Sequence, residues 1–290
     1  METRNPILSR MAKPEQGGAG FAYDEGRSAY TQAATGTATA ATPAPSADDL
    51  RRMYTAGTPT GVGARVTLND VIVKTGICFV LVVIGAVVGW NTADSMPLIW
   101  FGAAMIGLVL GLVNAFKRQV SPALVLLYAL VQGVFLGGIS YAYNDWVIRY
   151  ANYQGLVMQA VIGTLTAFGV MLLVYNTGLI KVDGKFAKVM VVAIISYAVI
   201  GLMSLVAAIF GVGGGFGFYG MGWLGVALCA VGVLLASFTL LLDFEAIKQG
   251  IAMGLPERES WRMSFGLLVT LIWLYLEILR MLAMIAAASR

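Results

Sequence analysis

Two acidic residues, Asp243 and Glu277, sit in or against stretches too apolar to hold them casually. Asp243 closes an apolar run at 222–242, and Glu277 lies inside a second run at 264–288. Either run is long enough to cross ~30 Å of hydrocarbon at ~1.5 Å per residue. An ionisable group in the middle of such a span costs on the order of 2.5–3.5 kcal/mol on insertion scales, so each acid needs a role. Carboxylates in a low-dielectric span exchange protons, pair with cationic side chains, or offer oxygen to a hard cation.

The numbering suggests that the two acids meet. If the two runs form a hairpin turning near Arg258–Glu259, Asp243 lies about 15 residues before the turn and Glu277 about 18 after it. Antiparallel helices would then hold the carboxylates within ~5 Å of one depth. Gly225, Cys229, Gly232, Ala236, Thr239 and Asp243 follow 4-3-4-3-4 spacing and make one helix face. Gly266, Thr270, Trp273, Glu277 and Arg280 make another. Small residues allow helices to approach closely in lipid, so the expectation is a proton-sensitive pair. Two close carboxylates cannot both ionise cheaply, which would couple protonation to helix separation. Arg280, Lys117 and Arg118 are candidate charge locks for one of them. A simpler reading stands beside this one. Glu277 pairs with Arg280 three residues on, and Asp243 is a boundary residue, with Glu245 and Lys248 snorkelling to water.

Catalysis has no comparable support. The chain has no histidine, which removes imidazole relays, His-ligated metals and Ser-His hydrolysis. Its serines and threonines have no base at a telling spacing, so an intramembrane hydrolase is the weakest reading, and neither an enzyme nor a cofactor is expected. Cys78 and Cys229 each lie in an apolar run and read as small hydrophobes rather than a disulfide or metal pair. Gly215-Phe216-Gly217-Phe218-Tyr219-Gly220 fits G-x-G-x-x-G. It joins two apolar runs and follows no strand, so it reads as a flexible external loop and not a dinucleotide site.

The elements that must position the acids come from hydropathy. Of 290 residues 59% are apolar and only 12% charged, the composition of an integral membrane protein. Apolar runs predict seven transmembrane helices at 75–92, 97–116, 121–143, 154–175, 186–210, 221–242 and 264–288. Thr67 with Asp70 three residues on predicts a capped helix start. Residues 1–65 are polar, rich in Ala, Thr, Gly, Pro and Ser, and are expected to be a disordered arm, with 66–290 as the membrane domain. The arm has no apolar core that would make it a signal peptide. Its opening Asn5-Pro6-Ile7-Leu8-Ser9-Arg10 is a candidate docking segment.

Charge sets the orientation. The connections after spans two, four and six hold Lys117, Arg118, Lys181, Lys185, Lys188, Lys248, Arg258 and Arg262, while those after spans one, three and five hold only Arg149. Positive-inside bias puts the N-terminus in the cytoplasm and, with seven spans, the C-terminus outside. The net charge of +4 is accounted for by these topology signals, and no nucleic-acid partner is expected. Gly85-x-x-x-Gly89, Gly107-x-x-x-Gly111 and Gly133-x-x-x-Gly137 predict close packing inside the bundle rather than dimerisation.

Asp243-Phe244-Glu245-Ala246-Ile247, followed by Leu274-Tyr275-Leu276-Glu277 in the last helix, resembles the Bax inhibitor-1 family (transmembrane Bax inhibitor motif) and its bacterial members. That family carries Asp-x-x-x-Ile on its sixth helix and a second acid after Leu-Tyr-Leu on its seventh, usually Asp. Glu277 departs from it by one methylene. The resemblance spans roughly 67–284. It implies a seven-helix fold with the last helix central, in the bacterial cell (inner) membrane. It also implies a pH-sensitive calcium leak channel worked through Asp243 and Glu277. A basic residue near the end of the second helix is matched by Lys117 or Arg118. Partners on this reading are the lipid bilayer and calcium ions. The alternative is a non-conducting regulator that binds another membrane protein, such as a protease or stress-response component.

Overall fold

The computed structural model describes residues 64–288, and the expected N-terminal arm lies outside the described residues except for its last two positions. Seven long helices follow in order: α1 (Leu68–Thr92), α2 (Pro97–Phe116), α3 (Pro122–Ala151), α4 (Leu156–Thr177), α5 (Gly184–Ile209), α6 (Trp223–Ala252) and α7 (Ser260–Ala288). All seven are long and apolar enough to span a bilayer, and the chain is a multi-pass, all-α membrane protein. Among the described residues there is no strand, only a single bridge between Arg65 and Pro256.

Local chemistry sets the helix ends. Thr67 and Asp70 form the expected capping box, with the Asp70 N–H donating to Thr67 Oγ1 at 3.2 Å and the Thr67 N–H to Asp70 Oδ2 at 2.9 Å. Pro97 and Pro122 open α2 and α3, where a missing N–H costs nothing. Asp183 caps α5 by accepting from the Phe186 N–H at 2.7 Å. Two helices outrun their apolar stretches. α3 continues to Ala151, where Asp145 and Arg149 pair at 2.9 Å, and α6 continues to Ala252, where Gln249 donates to Glu245 at 2.9 Å. Polar residues one turn apart sustain a helix that hydropathy alone would end early.

The glycine repeats pack helix on helix. A Cβ at Gly85 would lie 2.9 Å from the Val134 backbone nitrogen, and one at Gly133 would lie 2.9 Å from Val82 Cα. The backbones of α1 and α3 therefore touch, as small-x-x-x-small spacing predicts. α7 is the axis of the bundle. It contacts α1, α3, α4 and α6, and half of its most apolar window is buried, the largest share of the seven. One core cluster on it holds Leu267, Leu274 and Ile278 against α3, α4 and α6. Another holds Phe265, Leu268 and Ile272 against α1 and α3. Outward faces stay apolar, with Leu98, Ile106, Leu173 and Ile195 all exposed, a surface suited to lipid.

Candidate functional site

Glu277 lies on the central helix and is 1% exposed. Its Oε1 accepts from an Arg280 terminal nitrogen at 2.6 Å and from the Trp273 indole N–H at 3.1 Å. Both partners come from α7 itself, one turn either way, so helix geometry preassembles this half of the site. Opposite stands Gly232 of α6. A Cβ there would fall 2.6 Å from Glu277 Cδ and 2.7 Å from Oε2, and would strike the Tyr197 hydroxyl of α5. Only glycine leaves room for the carboxylate. Tyr197 donates to the Leu228 carbonyl at 3.3 Å, and the Arg280 guanidinium lies over the Tyr219 ring at 4.0 Å. Glu277 Oε2 is buried without a hydrogen-bond partner.

Asp243 has different surroundings. It lines a cavity of about 260 Å³ together with Leu255, Glu259, Arg262, Met263 and Gly266. Its Oδ2 is likewise buried and unpartnered, and among the described residues no ion pair reaches it. Across the helix pair is Gly266, where a Cβ would be 3.7 Å from Asp243 Oδ1, in ordinary contact.

These contacts correct the expected pairing. Glu277 faces Gly232 and Asp243 faces Gly266, eleven residues away from Glu277 on α7. At ~1.5 Å per residue, eleven residues put about 16 Å of helix rise between the two facing points on the hairpin. They do not share a site. The turn explains the shift. α6 ends in a Schellman motif, with Leu255 N–H donating to the Gly250 carbonyl at 3.2 Å, Gly254 N–H to Ile251 at 3.0 Å, and Gly254 at φ +65°. The apex is therefore near Gly254, about one helical turn earlier than the charged Arg258–Glu259 that the sequence pointed to.

The candidate locks also separate. Arg280 binds Glu277. Lys117 and Arg118 sit at the end of α2 with exposed side chains and reach neither acid; their carbonyls accept from Arg262, at 2.7 Å for Arg118. The charged pair beside Asp243 is Arg262 with Glu259, 2.9 Å apart. Sequence reasoning counted Arg262 only as a topology signal, although it stands four residues before Gly266 on one helix face. Glu245 accepts from the Tyr175 hydroxyl at 2.8 Å.

Two further residues had no signal in spacing. Tyr197 and Tyr219 close the Glu277 chamber from α5 and from the glycine-rich connection. That connection folds into two 3-10 turns, Val212–Gly215 and Gly217–Gly220, with Tyr219 buried, and is not the loose loop its composition suggests. Cys78 and Cys229 are free and buried. Among the described residues no three acids, cysteines or histidines converge into a metal-binding group.

No curated protein matches this chain. The family model described as Bax inhibitor 1 like matches residues 5–287, reaching further toward the N-terminus than the motifs around the two acids. The match covers nearly the whole chain, and it takes in the bundle, the central last helix and both acids. The protein is a member of the Bax inhibitor 1 like family.

Proposed function

We propose that this protein is a proton-sensitive cation leak, carrying calcium across a bacterial cell membrane, in which Asp243 and Glu277 act as two separate stations. The observation that carries the reading is that each acid keeps one carboxylate oxygen buried within the span and without a hydrogen-bond partner. Such an oxygen is costly unless a proton, a water or a cation completes it. Asp243 has a cavity beside it large enough for water, and Glu277 holds an arginine that a passing cation must displace or bypass. Protonation of either acid removes an anionic oxygen from the path, which makes flux depend on pH. Two acids so far apart suit sequential binding of a hard cation at weak sites, not one tight cage.

The basic residues at one end of the bundle support a cytoplasmic N-terminus and an external C-terminus. In that orientation the Asp243 cavity lies toward the cytoplasm and the Glu277 chamber toward the outside. Reporter fusions at Asp183 and at the C-terminus test this; finding both on one side of the membrane sinks it.

Conduction is tested with proteoliposomes that contain the purified protein alone and a calcium indicator, across a pH series. Flux should be present and pH-dependent, and Asp243→Asn should flatten the profile. A protein that conducts nothing at any pH leaves the competing role, a regulator that binds another membrane protein.

A further inference from the structure

The connection between α5 and α6 is tied to every helix around the Glu277 chamber. The Phe218 N–H donates to Ser204 Oγ of α5 at 3.0 Å. Phe216 packs against Trp146 of α3, with ring centroids 5.0 Å apart. The Tyr219 backbone lies so close to Gly225 of α6 that a Cβ there would fall 2.6 Å from its carbonyl carbon. The Tyr219 ring lies under the Arg280 guanidinium of α7 at 4.0 Å. Gly213, Gly214 and Gly217 have φ between +60° and +65°, a conformation that other residues adopt only with strain. Four anchors and a run of left-handed glycines describe a built element, not a slack linker.

Its position gives it something to close. On one side a cavity of about 380 Å³ opens at this end of the bundle, walled by Trp146, Gly213, Phe216, Gly220 and Met284. On the other side are Arg280, Glu277 and the fully buried Cys229. Tyr197, Tyr219 and Cys229 pack as one cluster. We propose that the Val212–Gly220 connection is a closure, with Tyr219 as its stopper, that seals the Glu277–Arg280 pair from water and cations in the cavity at that end. Arg280 serves both sides. It neutralises Glu277 and holds the stopper ring by a cation–π contact, so loss of the ion pair loosens the closure.

The seal itself does not depend on conduction; only its role as a gate rests on the cation-leak reading. Cys229 is the reporter. In a Cys78→Ala background, in nanodiscs, a charged maleimide should label wild-type Cys229 slowly. Tyr219→Ala should raise the rate by at least about ten-fold, the order set by losing a desolvated cation–π contact. Tyr219→Phe, which keeps the ring, should stay near wild type. Ser204→Ala, which removes one tether without touching the ion pair, should give a smaller rise and covers the case in which Tyr219→Ala does not fold. Fast labelling of the wild type, or unchanged labelling in every folded variant, overturns the closure. Faster labelling of Tyr219→Ala without calcium flux leaves the closure standing and removes the leak.

Discussion

Glu277 and Asp243 lie on one helix pair, each opposite a glycine, yet one is enclosed and the other is not. At Gly232 the backbone of α6 comes so near that a single added methyl would overlap the Glu277 carboxylate. At Gly266 the same addition would meet Asp243 only at 3.7 Å. Glu277 has an arginine and an indole bound to one oxygen, while Asp243 has no ion pair and a cavity at its side. Similar small-residue stripes thus build a tightly enclosed charged site and one that borders a cavity. The difference arises from what α7 carries around each acid. Arg280 and Trp273 flank Glu277 within one turn, whereas Asp243 meets Gly266 and Thr270, and Arg262 is engaged by Glu259.

The sharpest way to break this contrast is to remove the partner of the sealed acid. Arg280→Met should leave Glu277 buried and unpaired and cost about 3–5 kcal/mol. A thermal melt in detergent should show a large drop, mostly recovered in the double variant Arg280→Met/Glu277→Gln. An unchanged melt would mean that Glu277 is already neutral or hydrated.

Next is the pair of glycines. Gly232→Ala should destabilise by about 1–3 kcal/mol through overpacking. Gly266→Ala should stay within about 0.5 kcal/mol, since nothing there need move. Equal effects would show that the two acids are equally enclosed and would remove the distinction.

The smallest stability effect is expected at Asp243 itself. Asp243→Asn removes a charge that no ion pair holds, so the melt should hardly move while the pH profile of calcium flux flattens. Sites this far apart should also act independently. The stability changes of Asp243→Asn and Glu277→Gln should add within about 0.5 kcal/mol in the double variant. Marked non-additivity would restore the single titrating pair that the numbering first suggested.

Parts of this arrangement were legible beforehand because they depend on residues close in sequence. The Thr67–Asp70 cap, the Arg280 ion pair and the glycine spacings of α1 and α3 all act within a turn or two of helix. The chain's apolar runs announce the spans for the same reason. The partner of Asp243 was not legible. It depends on where α6 stops, and Glu245, Lys248 and Gln249 look like loop residues by polarity but continue the helix. Moving the apex from Arg258–Glu259 to Gly254 shifts the position opposite Asp243 by about eight residues along α7, from near Leu274 to Gly266.

The glycine-rich connection makes the same point. Glycine content alone reads as slack, because glycine loses the most conformational freedom on ordering. The hydroxyl of Ser204, the ring of Trp146 and the guanidinium of Arg280 come from three helices far apart in the chain, and together they hold it. The sequence by itself determined a seven-span membrane protein, its helix caps and the two acids worth asking about, since hydropathy and capping are local. Only the tertiary structure decided that the acids stand apart, that one is sealed and that Tyr219 lies over the seal. Register and enclosure are set by contacts between distant segments, and a shift of one helical turn exchanges every partner across the pair.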